Sequence, residues 1–496
     1  MKMKKYRINF TKHIVKLTMK TKNYFCSILL IGIILCITYS GIAQTVSIIN
    51  KKFVVNGNAS CPIYFNGANT PWEAWNDFGG SYNSAKWTQD LVDLKNKGIN
   101  ATRIWFSCDG NGQPSIASDG TVSAPSAKFW SDCDDLFKNA QANGIYIYAT
   151  MMSFDHTKTA NTNSTNWQNM MNSSAKTQTF VDNYLVPFVN RYKTNPYLWA
   201  IDFCNEIEWI YENGGSRGDG TNWGASSYAI LQRYVAICSA GLHQSGVARS
   251  DGSKVLVTLG SSCVKWNGTK LPNGNNNPDG NKWSDANLQA QNGSNTASYL
   301  DFYSPHFYGW MESNYSSPFE KTPTQYGMDD KACVVAEMPA RDPMPTPAMS
   351  LTTAFNNLKN GGWQGHMPWT ANITTNLTTE VGDLADFGAA AQTFANNNAA
   401  LVKPTCAVTG IVSESGDASS MIYPNPSNNQ IYIETNTDLE KTSLRFVNGY
   451  GSEVAVPVSF SEKHAQADVS SLAVGIYTLL IKQNDFITRK KIIVIR

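Results

Sequence analysis

The fold is decided by two short runs of sequence, Trp199-Ala-Ile-Asp-Phe-Cys-Asn-Glu206 and Cys333-Val-Val-Ala-Glu337. Each run is typical of a buried strand, and each closes on a glutamate. In an α/β barrel the carboxyl end of such a strand points into the barrel mouth, where water is scarce and the pKa of a carboxyl group can be tuned. A lone glutamate at such a position is as consistent with a structural ion pair as with catalysis. The other residues of the sequence must distinguish the two interpretations.

Strand-like and helix-like runs alternate from Ser47 to Val402. Eight units of one strand followed by one helix favour a (β/α)8 TIM barrel over an open sheet. The predicted strands are residues 62–67, 100–106, 144–150, 198–205, 254–260, 299–306, 332–337 and 365–369.

Three connecting helices have clear signals. Apolar residues at helical spacing predict helices over residues 84–98 and 126–144, each with a serine as N-terminal cap and a glycine as the stop. Residues 180–192 show the same spacing, but Pro187 should kink or break that helix.

Two further segments flank the barrel. The hairpin-like residues 46–55 are expected to plug its bottom. Residues 261–298 are rich in Asn and Gly and too long for a routine connection, so we expect a functional loop beside the cleft.

Composition excludes some classes of function. The formal net charge of +2 gives no reason to expect nucleic acid as a partner. Charged residues make up only 16%, and the polar residues that replace them are typical of a secreted protein. Lysines, then the apolar residues 25–39, then Gly41 and Ala43 predict a signal peptide over residues 1–44.

The remaining chain divides into a barrel domain over residues 45–403, a linker over 404–420 and a small domain over 421–496. Short alternating strands in the last part predict an all-β, Ig-like sandwich. Ten cysteines fit no zinc pattern; one or two disulfides are expected, with pairings that the sequence leaves open.

Polar residues at other strand ends give the two glutamates a chemistry. Two carboxyl groups facing each other at roughly 5 Å would be the acid and the nucleophile of a retaining glycosidase. Asn205 can hold a sugar hydroxyl beside Glu206. Arg103 and Tyr308 are expected to keep Glu337 ionised, while burial and the charge of Glu337 keep Glu206 protonated. Trp369 offers a flat face to a pyranose ring.

The predicted strand ends carry an ordered set of residues, namely Arg103, Asn205-Glu206, His306-Phe-Tyr308, Glu337 and Trp369. This set resembles glycoside hydrolase family 5, whose clan has its catalytic glutamates on strands 4 and 7. The resemblance implies a catalytic domain in which Glu206 is the acid/base and Glu337 the nucleophile. It also implies a substrate-binding histidine after strand 3, for which His156 is the candidate.

The chain departs from the family pattern at two places. Ile207 follows the Asn-Glu pair where many members have Pro, and Met338-Pro339 follow the second glutamate where Phe-Gly or Trp-Gly is common. These departures bear on the subfamily and the substrate.

The C-terminal part contains three short motifs, Tyr423-Pro-Asn-Pro426, Asp468-Val-Ser-Ser-Leu472 and the basic run Arg489-Lys-Lys491. With these motifs it resembles the sorting domain of the type IX secretion system. The resemblance implies the secretion machinery as a partner and a secreted or cell-surface location.

Several residues have competing interpretations. His156, His306 and His366 could form a metal site, but no carboxylate shows ligand spacing to them, so neither a metal nor a cofactor is expected. Gly214-Gly-Ser216-Arg-Gly218 matches the serine-hydrolase elbow only as a string, without a preceding strand. Glu208 and Trp209 either line the cleft or cap the next helix. Asp202 is interpreted as structural. The candidate sugar platforms are Trp72, Trp75, Trp209, Trp266, Trp283 and Trp310.

The leading hypothesis is a monomeric, secreted endo-β-1,4-glycanase acting on plant polysaccharide, with endoglucanase ranked first. The alternative is an endo-β-1,4-mannanase, because no residue separates gluco from manno configuration. A hypothesis of another class is a non-catalytic surface protein that binds glycans.

Overall fold

The computed structural model describes residues 44–211, 226–249, 252–405, 420–435, 439, 444–448, 453–483 and 486–496. The predicted signal peptide, apart from Gln44, and the Gly214–Gly218 string lie outside these residues.

Parallel strands form the body of residues 45–403. One sheet has the order β11-β14-β3-β4-β5-β6-β7, and a second has the order β10-β9-β8. Their bounds are β3 Phe65–Asn69, β4 Ala101–Trp105, β5 Tyr146–Thr150, β6 Leu198–Asp202, β7 Leu256–Thr258, β8 Gly260–Ser261, β9 Phe302–Pro305, β10 Ala332–Cys333, β11 Val335–Met338 and β14 Gly365–Pro368.

The two sheets continue into each other. Only Leu259 separates β7 from β8, and only Val334 separates β10 from β11, so each pair is one strand with a local interruption. His306, directly after β9, also pairs in parallel with Glu337 in β11. All eight predicted strands are therefore present, curled into an α/β barrel. The first begins at Phe65, three residues later than predicted.

Helices connect the strands. They are α1 Ser84–Asn96, α2 Ala127–Asn143, α3 Ser164–Asn172, α4 Ser174–Phe180, α5 Val186–Tyr192, α6 Tyr228–Gln244, α7 Asp285–Ala290, α8 Glu312–Tyr315, α9 Leu351–Asn360, α10 Leu384–Asn397 and α11 Ala399–Val402. Ser126 caps α2 by accepting the N–H of Phe129, and Gly144 ends it with φ 71°. For α1 the cap is Asn83, one residue before the predicted serine.

The kink or break predicted at Pro187 takes the form of a wider helical turn. A wider turn, Val181–Leu185, separates α4 from α5, and the N–H of Val186 reaches back to the carbonyl of Val181. Because proline has no N–H to donate, the ordinary helical ladder cannot run through this point, and the wider turn accommodates the interruption.

Aromatic rings fill the lower barrel. Trp199 stacks on Phe65 at 3.5 Å between ring centroids and on Phe302 at 5.6 Å. From below, Phe53 meets all three rings edge-on at 5.1–5.5 Å. Phe53 belongs to the hairpin of β1 (Val46–Ile49) and β2 (Lys52–Val55), so this hairpin closes the bottom as predicted. The mouth is left as the open end.

The C-terminal part is all-β. Two antiparallel sheets have the orders β15-β16-β20-β19 and β18-β17-β21-β22. In β16, Ile431 and Ile433 are buried while Tyr432 between them is exposed, as expected for a strand with one face on a core. The strands are β15 Met421–Tyr423, β16 Gln430–Glu434, β17 Leu444–Val447, β18 Glu453–Val454, β19 Val458–Ser461, β20 His464–Asp468, β21 Gly475–Gln483 and β22 Phe486–Val494.

One further short hairpin precedes the C-terminal part. It is formed by β12 Met344–Pro345 and β13 Ala348–Met349.

Two general findings concern the described residues. None of their helices is long and apolar enough to span a membrane. Cys61 is disulfide-bonded. The other described cysteines are buried thiols, namely Cys108, Cys133, Cys204, Cys238, Cys263 and Cys333.

Candidate active site

A cleft opens at the carboxyl ends of the barrel strands. Glu206, four residues after β6 ends, and Glu337, within β11, both face it. Its lining residues are Trp72, Trp105, Ser153, Phe154, Asp155, Asn205, Glu206, Trp209, Tyr308, Trp310, Met311, Glu337, Trp369 and Glu380.

The two glutamates lie close together. An oxygen of each carboxyl group and a ring nitrogen of His306 all lie within 4.8 Å of one another. The side chain of Glu206 is 14% exposed and that of Glu337 is 6% exposed. This separation matches the shorter of the two carboxyl distances found in glycosidases, which leaves no room for a water molecule between them.

Glu337 is held from two sides. Arg103 donates from Nη1 to Oε1 at 2.7 Å, and the hydroxyl of Tyr308 donates to Oε2 at 2.9 Å. Burial nevertheless raises the pKa of Glu337, and the charge of Glu206 adds to this, while His306, Arg103 and Tyr308 oppose it. Arg103 and Tyr308 each favour the ionised form, as expected, but desolvation is the larger effect and the net direction of the pKa shift is upward.

Arg103 links the acidic groups below the cleft. Its guanidinium is fully buried and contacts Asp202 Oδ2 at 2.7 Å, besides Glu337. Nη2 also donates to Oδ1 of Asn205 at 2.9 Å. This contact orients the Asn205 amide, which reaches the cleft as predicted, and the ion pair with Asp202 agrees with a structural role for that aspartate.

Each oxygen of Glu206 makes a hydrogen bond. Nδ1 of His306 lies 2.8 Å from Oε1, and Nε1 of Trp209 lies 2.7 Å from Oε2. Burial lowers the pKa of His306 to about 4, so its ring is neutral near pH 7. A neutral ring that donates from Nδ1 leaves Nε2 unprotonated, and this buried nitrogen has no hydrogen-bond partner within the described part of the chain.

His156 does not reach the cleft. Its ring is fully buried, with Nε2 2.9 Å from the Ser107 hydroxyl and an edge-on contact to Trp167. Within the short helical turn Phe154–Thr157, it is Asp155, the residue before His156, that points into the cleft. The prediction that His156 binds substrate is therefore corrected.

Asp155 is a cleft residue that the sequence reasoning missed. The hydroxyl of Ser153 donates to its Oδ2 at 2.9 Å, and burial raises its pKa to about 6. Glu380 was also missed; it accepts the N–H of Gly309 at 2.6 Å from a loop beyond the last strand. For Asp155 the available signal was the sequence Ser153-Phe-Asp-His156, in which either Asp155 or His156 could point into the cleft.

The tryptophans divide by position. Trp72, Trp209, Trp310 and Trp369 line the cleft, joined by Trp105, which was not among the candidates. Trp75 and Trp266 are not among the lining residues, although Trp75 packs edge-on against Trp72 at 4.6 Å. Trp283 is fully buried, so its prediction as a sugar platform is wrong.

Glu208 faces away from the cleft. It is 4% exposed, and it accepts Nε1 of Trp283 at 2.7 Å and the N–H of Ser262 at 3.0 Å. Burial raises its pKa to about 7. Glu208 thus neither lines the cleft nor caps a helix. Residues 261–298 contribute to this anchor and are not among the residues that line the cleft, contrary to the expectation for that loop.

The three histidines are not brought together. His366 stacks on Phe355 at 3.8 Å between centroids and lies 2.8 Å from Oδ1 of Asn66, in agreement with a packed strand residue. Within the described residues, the cluster with metal-ligand spacing is formed by Glu206, His306 and Glu337, the same groups that face the cleft.

Comparison with known proteins supports both predicted resemblances. Residues 421–495 match the family model described as the secretion system C-terminal sorting domain. A sorting domain of this kind directs export by type IX secretion to the cell surface or the extracellular space.

The barrel part is similar to known mannanases. The chain is 25% identical over 329 residues to the mannan endo-1,4-beta-mannosidase of Cryptopygus antarcticus, covering 62% of this chain and 81% of that protein. The crystal structure of the Eisenia fetida endo-1,4-beta-mannanase aligns with a TM-score of 0.58 and 23% identity, covering 70% and 94% of the two chains. The crystal structure of the Mytilus edulis β-mannanase aligns with a TM-score of 0.58 and 22% identity, covering 73% of this chain and 99% of that one. The protein thus has the barrel fold of these glycosidases, and the resemblance to glycoside hydrolase family 5 is confirmed at the level of fold.

Proposed function

We propose that this protein is a secreted, retaining endo-β-1,4-mannanase. The observation that carries the proposal is the Glu206–Glu337 pair, with carboxyl oxygens within 4.8 Å of each other in a cleft walled by tryptophans. A pair at this distance suits a double displacement through a covalent intermediate.

The reaction has two steps. In the first, a carboxylate oxygen of Glu337 bonds to the anomeric carbon while Glu206 gives its proton to the glycosidic oxygen, and the bond to the leaving chain breaks. In the second, Glu206, now ionised, takes a proton from water, and the water oxygen displaces Glu337 from the anomeric carbon.

The neighbours have supporting roles in this scheme. Arg103 and Tyr308 orient Glu337 through 2.7 and 2.9 Å hydrogen bonds and stabilise its ionised form against the cost of burial. Asn205 binds a sugar hydroxyl, since its amide lines the cleft and its Oδ1 is already held by Arg103. His306 supports Glu206, and Trp369 provides the stacking face.

The comparisons favour mannan over glucan. Sequence reasoning ranks endoglucanase first, but the similar proteins named above are mannanases, which supports the alternative. We expect the mature protein to release reducing ends from galactomannan and glucomannan at least about tenfold faster than from carboxymethylcellulose. A reducing-sugar assay on the three polymers at equal mass concentration measures this ratio.

Reversal of that ratio would restore endoglucanase as the function. The panel should also include xylan and xyloglucan. If the protein binds insoluble polysaccharide but releases reducing ends from no member of the panel, the non-catalytic glycan-binding alternative would be favoured. The presence of both carboxyl groups supports catalysis over that alternative.

Retention of configuration is a separate expectation. Because the second displacement reverses the first, hydrolysis of β-1,4-mannohexaose should give the β anomer as the initial new reducing end. Proton NMR within the first minutes, before mutarotation, reads the anomer directly. An initial α product would mean that water attacks in a single displacement and that Glu337 is a base.

The proposal extends to the rest of the chain. We infer a monomer with a signal peptide at residues 1–44, a catalytic domain at 45–403, a linker at 404–420 and a sorting domain at 421–496. An Ig-like sandwich for the last part is supported by a single hydrophobic core that includes Ile431 and Ile433 of one sheet and Leu479 and Ile481 of the other.

A further inference from the structure

The turn that follows Glu206 has unusual backbone geometry. Glu206 adopts φ 48° and ψ 47°, a left-handed conformation that is uncommon for a non-glycine residue. The helical turn Ile207–Ile210 begins directly after it, and the N–H of Trp209 donates to the carbonyl of Glu206 at 3.1 Å. The chain therefore folds back, and the side chains of Glu206 and Trp209 meet on the cleft side.

The contact between them is specific. The indole Nε1 lies 2.7 Å from Oε2 of Glu206, while His306 occupies Oε1 from the other side at 2.8 Å. An indole nitrogen can only donate, so Oε2 must be an acceptor in this contact. One hydrogen bond at each oxygen thereby orients the carboxyl plane.

The turn itself is anchored from behind. Glu208, between Glu206 and Trp209 in the chain, points into the protein and binds Trp283 Nε1 and the N–H of Ser262. Residues of one turn thus face opposite ways: Glu206 and Trp209 point toward the cleft, and Glu208 points into a buried polar anchor. Such an anchor limits rotation of the turn and keeps the indole in register with the carboxyl group.

We propose that Trp209 is a positioning residue for Glu206, whose indole N–H holds the carboxyl group in the orientation that protonates the glycosidic oxygen. This inference rests on the proposed function, since it assigns a task to the acid/base. It is also distinct from sugar stacking, because the N–H edge that contacts Glu206 is not the face that a pyranose ring would cover.

Loss of the Trp209 N–H should change the pH dependence of the reaction. An N–H that donates to a carboxylate stabilises its ionised form over its protonated form. Among the described residues, the other titratable groups that interact with Glu206 are Asp155, Cys263, His306, Tyr308 and Glu337, and they remain when Trp209 is changed. Because kcat/KM requires protonated Glu206, loss of the N–H should move the alkaline limb of kcat/KM to higher pH.

Trp209→Phe tests this by keeping an aromatic ring without the N–H. We expect the alkaline limb to rise by about one pH unit, the size set by a hydrogen bond to a charged group, with kcat falling more than KM changes. A second variant replaces Trp209 with benzothienylalanine, in which sulfur stands for the indole N–H and the shape is kept. It should show the same shift even if Trp209→Phe folds poorly.

Trp363→Phe is the matched control. Its Nε1 also donates a hydrogen bond, to the carbonyl of Lys321, but the residue lies before β14, at the opposite end of the barrel strands from the cleft. We expect its alkaline limb to stay in place. An unmoved limb in both Trp209 variants would overturn the inference while leaving the proposed function intact.

A readout without turnover separates the two proposals. Carbon-13 NMR of the Glu206 carboxyl carbon should show a higher titration midpoint in the benzothienylalanine protein than in the native one, whether or not a substrate is known. An unchanged midpoint would contradict the positioning role. A raised midpoint with no activity of the native protein on any polysaccharide would instead contradict the proposed function, while the hydrogen bond from Trp209 to Glu206 would stand.

Discussion

Glu337→Ala is expected to lose more activity than the ~10²–10⁴-fold that removal of a general acid–base costs, because the covalent route closes without the nucleophile. Azide should then enter the space left by the carboxylate and attack the anomeric carbon directly. One displacement inverts the configuration, so the product should be an α-mannosyl azide, released from a mannoside with a good leaving group and identified by NMR.

Glu206→Ala provides the matched comparison. In this variant Glu337 still forms the covalent intermediate on a substrate with a good leaving group, and azide completes the second displacement. Two displacements retain the configuration, so the product should be the β-mannosyl azide, and the loss on polysaccharide should be about 10²–10⁴-fold.

The two azide products decide the assignment of roles. If Glu337→Ala gave the β azide and Glu206→Ala the α azide, the roles would be exchanged. Full polysaccharide activity in either variant would remove that residue from the mechanism. The two variants remove the same type of side chain from the same cleft. A general loss of folding would lower the activity of both and would not produce opposite anomers.

Arg103→Met is expected to give the largest loss of stability in the barrel, about 3–5 kcal/mol, because it leaves buried charge without a partner. Arg103 is fully buried between Asp202 and Glu337, with a nitrogen 2.7 Å from an oxygen of each. Methionine fills similar space without a charge. The difference from the native protein should narrow as the pH is lowered, because protonation of Glu337, whose pKa is raised by burial, removes part of the uncompensated charge.

Tryptophan fluorescence during urea unfolding measures this loss in the full chain. All fourteen tryptophans lie between Trp72 and Trp369, so the signal reports on the barrel domain alone. Arg191→Met is the control, since the Arg191–Asp134 pair is 2.5 Å long but 45% and 47% exposed, and such pairs are worth about 0–1 kcal/mol. Equal losses in the two variants would mean that burial of the Arg103 network adds nothing.

The sequence by itself determined the barrel and the placement of most cleft residues. Eight alternating units specify which residues end a strand, and the carboxyl ends of parallel strands must meet at one mouth. Arg103, Asn205, His306 and Tyr308 therefore converge on the two glutamates in the structure. The geometry of strand ends is a property of the backbone, so it can be predicted from residue positions alone.

Only the tertiary structure decided the residues that lie in turns. His156 and Asp155 are neighbours, and the turn Phe154–Thr157 rather than residue type determines that the aspartate faces the cleft. Likewise, the left-handed backbone of Glu206 brings Trp209 onto its carboxyl group and sends Glu208 inward to Trp283. One dihedral angle in a turn redirects every following side chain, and no periodic pattern in the sequence records it.

The balance of forces on Glu337 also required the structure. The sequence supplied its stabilising partners, Arg103 and Tyr308, but not how completely the carboxyl group is buried. The desolvation of Glu337 depends on how completely the whole barrel mouth excludes water, so it is a property of the folded barrel. Desolvation outweighs the hydrogen bonds from Arg103 and Tyr308, and the pKa of Glu337 is therefore raised.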